Sequence, residues 1–415
     1  MASVFPFHAY RYTQSAGKLD DLVTQPYDKI SPAMQARYLA QSPYNLVRVI
    51  LGERFPIDDG ASNVYTRAAA YLNDWIQSGI LARDADPGFF AYFQEFIVPD
   101  TGERLIRKGF IGLGGVVDYS DNIVHRHEQT LSGPKKDRME LLRHTHAHFG
   151  QIFMLYSDPR RAIDRLLEVA AEQRPVGEVV DEYGTIHRLW KISDPAHRIE
   201  IRHLMSDKKL LIADGHHRYE TALAFRNENP DLPGADKVMM TFVNMDSPGL
   251  KILATHRLVS GLPDFSLEAF FMKTSPRFAR RRFRALDEFK GALAQPAPEK
   301  IRIGVVAAKS NDLYLLEAPR EAGQLDVKVV HEDLLDQALG ITEDAVREEN
   351  FLRYIRGLDT AVHEVRQGQA QAGFLLEPTT IQQVAGVAFS GGVMPQKSTD
   401  FYPKLLSGFT IYKLS

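Results

Sequence analysis

The sequence predicts an α+β fold, mixed β-sheets with surrounding helices, and three patterns carry that expectation. Short apolar runs alternate with amphipathic stretches along the whole chain, so neither an all-helical nor an all-strand protein fits. Two pairs of strand-like segments are joined by hairpin punctuation: 89–98 with 104–117, and 178–192 around Glu182-Tyr183-Gly184-Thr185. Finally, Leu210-Leu211-Ile212-Ala213 runs into Asp214-Gly215 and then a helical pattern from His217 to about Asn229, with Pro230 as the stop. That is a buried strand, a tight glycine turn and a helix.

The elements follow in order. Phe5-Pro6-Phe7 and Tyr10-Arg11-Tyr12 are short apolar runs, and Ser31 with Pro32 opens a helix as cap and first residue. Tyr44 to Leu51 reads as a strand. Asn63 to Ser78 has apolar residues at helical spacing and stops at Gly79. The hairpin 89–117 turns at Pro99-Asp100-Thr101-Gly102; its late glycines Gly112, Gly114 and Gly115 read as close packing of a second strand. A helix is expected from about Asp137, its cap, to His148, then a strand at 151–156 and an amphipathic helix at 158–173. Past the hairpin, a helix at 195–205 feeds the glycine turn, and Asp246-Ser247-Pro248-Gly249 reads as a hairpin joining strands 237–245 and 250–259. Helices at 265–273 and 286–294, strands at 301–307 and 312–317, an amphipathic helix at 327–339 and a buried strand at 373–376 follow.

A chain of 415 residues is expected to form more than one unit. The expected regions are an N-terminal α/β region (1–120), a central region with the glycine turn (121–260), an appended β/α unit (261–330) and a C-terminal region (331–415). Hydrophobic content of 44% and charged content of 25% are those of a soluble globular chain. A net charge of −3 gives no global attraction to nucleic acid or an anionic membrane. The one basic run, Arg277 with Arg280, Arg281, Arg282 and Arg284, reads as a solvated helix face. There is no cysteine, so disulfides, thiolate nucleophiles and Cys-ligated metals are excluded. The N-terminus lacks signal-peptide features, and no run of about 18 apolar residues offers a membrane span. The expectation is a cytoplasmic protein.

Three stretches carry chemistry. The turn puts Gly215, His216, His217 and Arg218 at a helix N-terminus, where backbone amides and the helix dipole favour an anion. Two imidazoles and a guanidinium add charge-assisted donors. Asp214 as an ordinary N-cap with surface histidines is the plainer reading. The second stretch, Val124 to Arg138, packs His125, His127, Glu128, Lys135 and Arg138 together; it suits a substrate loop with Glu128 as base and Lys135 and Arg138 as phosphate partners. His125, His127, His144 and His148 offer a zinc alternative. The third, Met394-Pro395-Gln396-Lys397-Ser398-Thr399 through Lys404, is a proline-bracketed loop presenting Lys397, Ser398, Thr399 and Lys404, expected to pack back on the site.

With Pro6-Phe7, Arg11-Tyr12, Pro26-Tyr27-Asp28 and Tyr44-Asn45, and with His127-Glu128-x-Thr130, Lys135-x-Asp137-Arg138, Ala213 through Tyr219 and Tyr402-Pro403-Lys404, these motifs resemble domain-of-unknown-function family 1015, essentially end to end. The turn is more distantly similar to the phosphate-binding turn of the ParB/sulfiredoxin-like superfamily. That group includes CTP-binding partition proteins, cysteine-dependent sulfiredoxins and ParB-like free-serine kinases. The resemblance implies a ParB/sulfiredoxin-like core around the turn, a nucleotide cofactor (ATP, ADP or CTP) with Mg²⁺, and phosphates cradled by Gly215, His216, His217 and Arg218. It puts Asp214 on Mg²⁺ or on the turn itself and Glu128 as the base, although Glu128 lies much farther from the turn in sequence than the glutamate of the small kinases. The sulfiredoxin nucleophile is absent.

The leading expectation is a Mg²⁺-assisted phosphotransferase acting between a nucleotide and a small hydroxylated metabolite such as serine. Alternatives are a phosphatase for a phosphorylated metabolite, using the same groups with water as nucleophile, and a ParB-related nucleotide-responsive regulator. The regulator would need a basic DNA-reading module, which the sequence does not offer. Expected partners are small molecules, with neither membrane nor nucleic acid and with a homodimer allowed.

Overall fold

The computed structural model describes residues 2–128, 132–348 and 350–414. The chain divides into two compact units. The first comprises Met1–Arg126, Thr130–Lys251 and Pro403–Ser415; the second comprises His127–Gln129 and Ile252–Tyr402. The fold is mixed α+β, with sheets and covering helices in both.

A nine-stranded sheet organises the first unit. Its order is Val124–His125, Leu210–Asp214, Ile152–Tyr156, Lys237–Asn244, Arg104–Gly115, Phe89–Ile97, Ile186–Ile192 and Gly177–Val180, with Val4–Phe5 added on Arg104–Gly115. Leu210–Asp214 pairs parallel with Val124–His125, and Lys237–Asn244 parallel with Ile152–Tyr156; the remaining pairs are antiparallel. The central strands are apolar on both faces, as strands covered on both sides must be. Phe110, Met154, Ile212, Tyr219 and Phe242 meet in one core beneath the helix His216–Glu228.

Both expected hairpins form, and the glycines late in Arg104–Gly115 do allow close packing. A Cβ on Gly112 would lie 2.7 Å from the Phe89 ring, and one on Gly114 would lie 2.2 Å from Met240 Sδ. The expected hairpin across 246–249 does not form. Lys237–Asn244 is flanked on both edges by Arg104–Gly115 and Ile152–Tyr156, whereas His256–Val259 belongs to another sheet. Partners distant in sequence win over the local turn.

Tyr44 to Leu51 is not a strand. Asn45 Oδ1 accepts the Val47 amide at 2.9 Å and starts a helical turn, Val47–Ile50, whose β-branched residues are buried. The helix expected from Asp137 begins earlier, at Ser132, and ends at Thr145; His146 then takes a left-handed conformation with φ of 48°. Asp137 is therefore a mid-helix residue rather than a cap. His148 sits in the short strand Ala147–His148, so His144 and His148 share no helical face.

The second unit is built on an antiparallel six-stranded sheet. The order is Ala279–Phe283, Leu313–Pro319, Lys300–Ala307, Ala372–Leu375, His256–Val259 and Leu352–Ile355. Its core gathers Leu258, Phe289, Val306, Leu315, Val362 and Leu375. The basic run is an edge strand here, not a helix face. Arg282 pairs with Asp312 at 2.6 Å and Arg281 with Glu317 at 3.8 Å, charges that keep an open edge from recruiting another strand. The expected helix at 327–339 forms as a helical turn, Asp326–Val329, leading into a π-helix, Val330–Ala338.

Candidate functional site

In the first unit, Leu210–Asp214 delivers the chain to Gly215, which is the N-cap of the helix His216–Glu228 with φ of 96°. Only glycine takes that left-handed angle cheaply, and it brings no side-chain acceptor to the first helical turn. Asp214 is thus not the cap. Arg218 folds back over the turn: a Cβ on Gly215 would stand 3.1 Å from its guanidinium.

Asp214 sits in a cluster of cations. Its Oδ2 accepts Arg218 Nη2 at 2.7 Å and its Oδ1 accepts Lys404 Nζ at 3.3 Å. Burial alone would raise this carboxyl, but Lys404, Arg218, Lys29 and His216 outweigh it and hold the group well below the usual carboxylate range. Arg218 Nη1 also donates to the Gln151 carbonyl. His216 is buried and His217 half-buried on the first turn.

The segment carrying Lys404 is fixed from behind. Arg107, 1% exposed, donates to the Pro403 carbonyl and, at 2.9 Å, through Nε to Gln94 Oε1. Gln94 Nε2 donates to the Lys404 carbonyl at 2.8 Å, and the Leu406 amide donates to Tyr92 Oη at 3.3 Å. Lys404 is therefore held by its own backbone.

A cleft of about 550 Å³ opens beside the turn, lined by Tyr27, Arg138, His148, Gly150, Arg218 and Ser407 among others. Arg138 lies 4.1 Å over the Tyr27 ring and donates to Asp137 and to the Ile50 carbonyl. Asp137 also receives Arg54 at 2.7 Å and Tyr65 Oη at 2.8 Å. Each carboxylate, Asp137 and Asp214, thus answers two cations. Lys135, expected as a phosphate partner, is engaged by Glu220 at 2.7 Å, and Arg126 joins the same carboxylate at 3.3 Å.

Within the second unit, the other two motifs come together. Glu128 Oε1 accepts the Lys397 amide at 2.8 Å, the Met394 amide donates to the His127 carbonyl at 2.7 Å, and His127 Nε2 lies 2.8 Å from Thr399 Oγ1. Lys397 takes a left-handed φ of 55°, and Ser398 Oγ donates to the Pro395 carbonyl. Two stretches some 270 residues apart in sequence thus build one loop structure. Thr130 of the first motif lies outside the described residues.

The zinc reading is overturned. Among the described residues no group of three or more His, Asp or Glu could hold a metal ion. His125 Nε2 faces the Asn122 carbonyl, His144 is tied to the Glu140 carbonyl and stacks on Tyr65, and His148 stacks on Tyr412. Nor does the chemistry at Asp214 suit Mg²⁺: a hard dication wants unshared oxygen ligands, and here it would have to displace Arg218 or Lys404.

The sequence assigned no chemistry to Lys29, whose charge acts on Asp214, or to the buried Arg107–Gln94 brace. Pro26-Tyr27-Asp28 was a visible motif; its neighbour Lys29 gave no signal of its own.

These features stand in a chain that belongs to the family described as "Protein of unknown function (DUF1015)", whose model matches residues 4–338. Among curated proteins, none matches the chain. Solved structures similar to it include a free serine kinase in complex with AMP, at 11% identity and TM-score 0.39, covering 71% of this chain and 88% of that one. SbnI with C-terminal truncation from Staphylococcus aureus gives 11% identity and TM-score 0.35, covering 71% and 85%. A conserved hypothetical protein from Pyrococcus furiosus gives 12% and 0.34, covering 67% and 87%. The reading of the site rests instead on its own groups. Among the described residues no helix is long and apolar enough to cross a membrane.

Proposed function

We propose that this protein is a phosphotransferase that moves phosphate between a nucleotide and a small hydroxylated metabolite such as serine, with the strand–glycine–helix turn acting as a ParB/sulfiredoxin-like phosphate cradle. The observation that carries the reading is the cation cluster at Gly215. Arg218, Lys404, Lys29 and His216 all act on the single carboxylate Asp214 at the start of a 13-residue helix. That leaves net positive charge where the helix dipole also favours an anion.

In this reading nucleotide phosphates lie at the first turn of His216–Glu228 and take charge-assisted bonds from Arg218 and Lys404. Asp214 aligns those two cations in advance. Phosphoryl transfer asks the protein mainly for position and charge neutralisation, so such pre-organisation is the catalytic contribution. Mg²⁺, when present, would reach the site on the nucleotide rather than on Asp214. Asp214 is also too acidic to take a proton from an alcohol at neutral pH. The proton acceptor is therefore sought elsewhere, and Glu128 is the proposed base by the distant likeness to the ParB-like kinases; its bond from the Lys397 amide fixes the carboxylate's orientation.

The test is phosphorus NMR on the purified full chain with ATP, Mg²⁺ and L-serine, followed by other small hydroxy compounds. Transfer to an acceptor hydroxyl is expected. Release of inorganic phosphate alone would make the protein a hydrolase, and absence of nucleotide binding would remove the reading.

A further inference from the structure

Arg257, on the strand His256–Val259 of the second unit, is 1% exposed. Its Nη1 donates to the Thr255 carbonyl and its Nη2 to the Lys397 carbonyl at 3.1 Å, while its Nε–H is buried without an acceptor among the described residues. No carboxylate forms an ion pair with it among the described residues; Glu128 acts on it only through space. The Tyr354 ring lies 5.4 Å from the guanidinium and offsets part of the cost. A buried cation with an unmade hydrogen bond and no contacting counter-charge is among the most expensive arrangements a core can hold. Carbonyls and a ring do not remove that cost.

Arg257 lines a small, partly open polar cavity. Thr255, Thr379, Gln383 and Ser398 supply hydroxyl and amide groups to its wall. Asp326 and Glu377 line it too. Asp326 is already bound by Arg320 at 2.7 Å. A single guanidinium matches one negative charge better than a phosphate dianion.

We propose that this cavity is a binding site for a small organic monocarboxylate, with the ligand's carboxylate supplying the contacting counter-charge and the acceptor that Arg257 lacks. The Thr379 and Ser398 hydroxyls, whose protons go to the Ser398 and Pro395 carbonyls, then offer acceptors, and Gln383 its amide N–H, to the polar remainder of the ligand. The site is defined by the second unit's own residues, and it stands or falls separately from nucleotide binding at Gly215.

The experiment is calorimetric titration of the full chain with acetate, glycolate, L-lactate and L-serine, against inorganic phosphate and sodium chloride at matched ionic strength. At least one monocarboxylate is expected to bind saturably, unaffected by added ADP. Arg257→Met, which keeps the length and removes the charge, is expected to weaken it by roughly tenfold or more, the size of a lost charged hydrogen bond. Should that variant fail to fold by circular dichroism, Thr379→Val serves instead, with an expected loss of about two- to tenfold. The proposal is overturned if none of the four binds, if phosphate binds in their place, or if the folded variants bind as tightly as the parent.

Discussion

Two buried or partly buried arginines of this protein are treated in opposite ways. Arg218, at the glycine turn of the first unit, has its carboxylate partner at 2.7 Å, and that partner is shared with Lys404. Arg257, in the core of the second unit, is more deeply buried and, among the described residues, meets carbonyls and a tyrosine ring but no carboxylate. The first arrangement satisfies each cation and still leaves a surplus of positive charge, which suits a ligand with several negative oxygens. The second leaves one charge unmet beside a small polar cavity, which suits a ligand bringing one. Charge balance, more than residue type, separates the two.

The comparison can be broken in several ways. The largest expected effect belongs to Glu128→Gln. If Glu128 takes the acceptor's proton, turnover should fall by about a hundredfold or more while nucleotide affinity holds, as for loss of a general base. A steady-state assay beside a binding titration reads both. Retained turnover would leave Glu128 only as the tie that accepts the Lys397 amide. The second unit would then contribute no proton chemistry.

Gly215→Ala comes next. A side chain at φ of 96° is strained, and its Cβ would crowd the Arg218 guanidinium at 3.1 Å. Denaturant unfolding should show a loss of about 1–3 kcal/mol, the cost of a sparsely populated backbone conformation. Nucleotide affinity should drop as well. Full stability and affinity in this variant would mean that the turn tolerates a side chain and does not hold phosphates closely.

The smallest effect is a pH slope. Burial holds His148, in the first unit, and His256, in the second, at about 4 against an ordinary 6.5. The unfolded chain therefore protonates first, so stability is full above pH 6.5 and is lost as pH falls from about 6.5 to about 4. Melting temperatures at pH 7.5 and 5 should differ in that sense, and His148→Gln should flatten part of the slope. An unchanged slope would assign the acid sensitivity to other groups.

Much of this was legible in the sequence where chemistry and local order coincide. Leu210–Asp214, Gly215 and the following helix announce themselves through an apolar run, a glycine and a helical pattern. The two hairpins do so through their turn residues. What failed did so for non-local reasons. Val47 to Ile50 is rich in β-branched residues, yet a single Asn45 side-chain bond and burial made it helical. The 237–259 segments look like a hairpin, but their edges are claimed by strands far away in sequence. In the candidate site, Asp214 invited a metal role that its two cations contradict. Arg107 carried no local signal, because a buried guanidinium is marked only by what surrounds it.

The most direct test of the central claim is nucleotide-dependent thermal stabilisation of the full chain compared with Arg218→Ala. Lys404 still answers Asp214 in that variant, so the fold should persist by circular dichroism. Saturating ADP should raise the melting temperature of the parent, as any ligand held only by the folded state does, and should leave Arg218→Ala unmoved. An equal rise in both would contradict a phosphate cradle at Gly215.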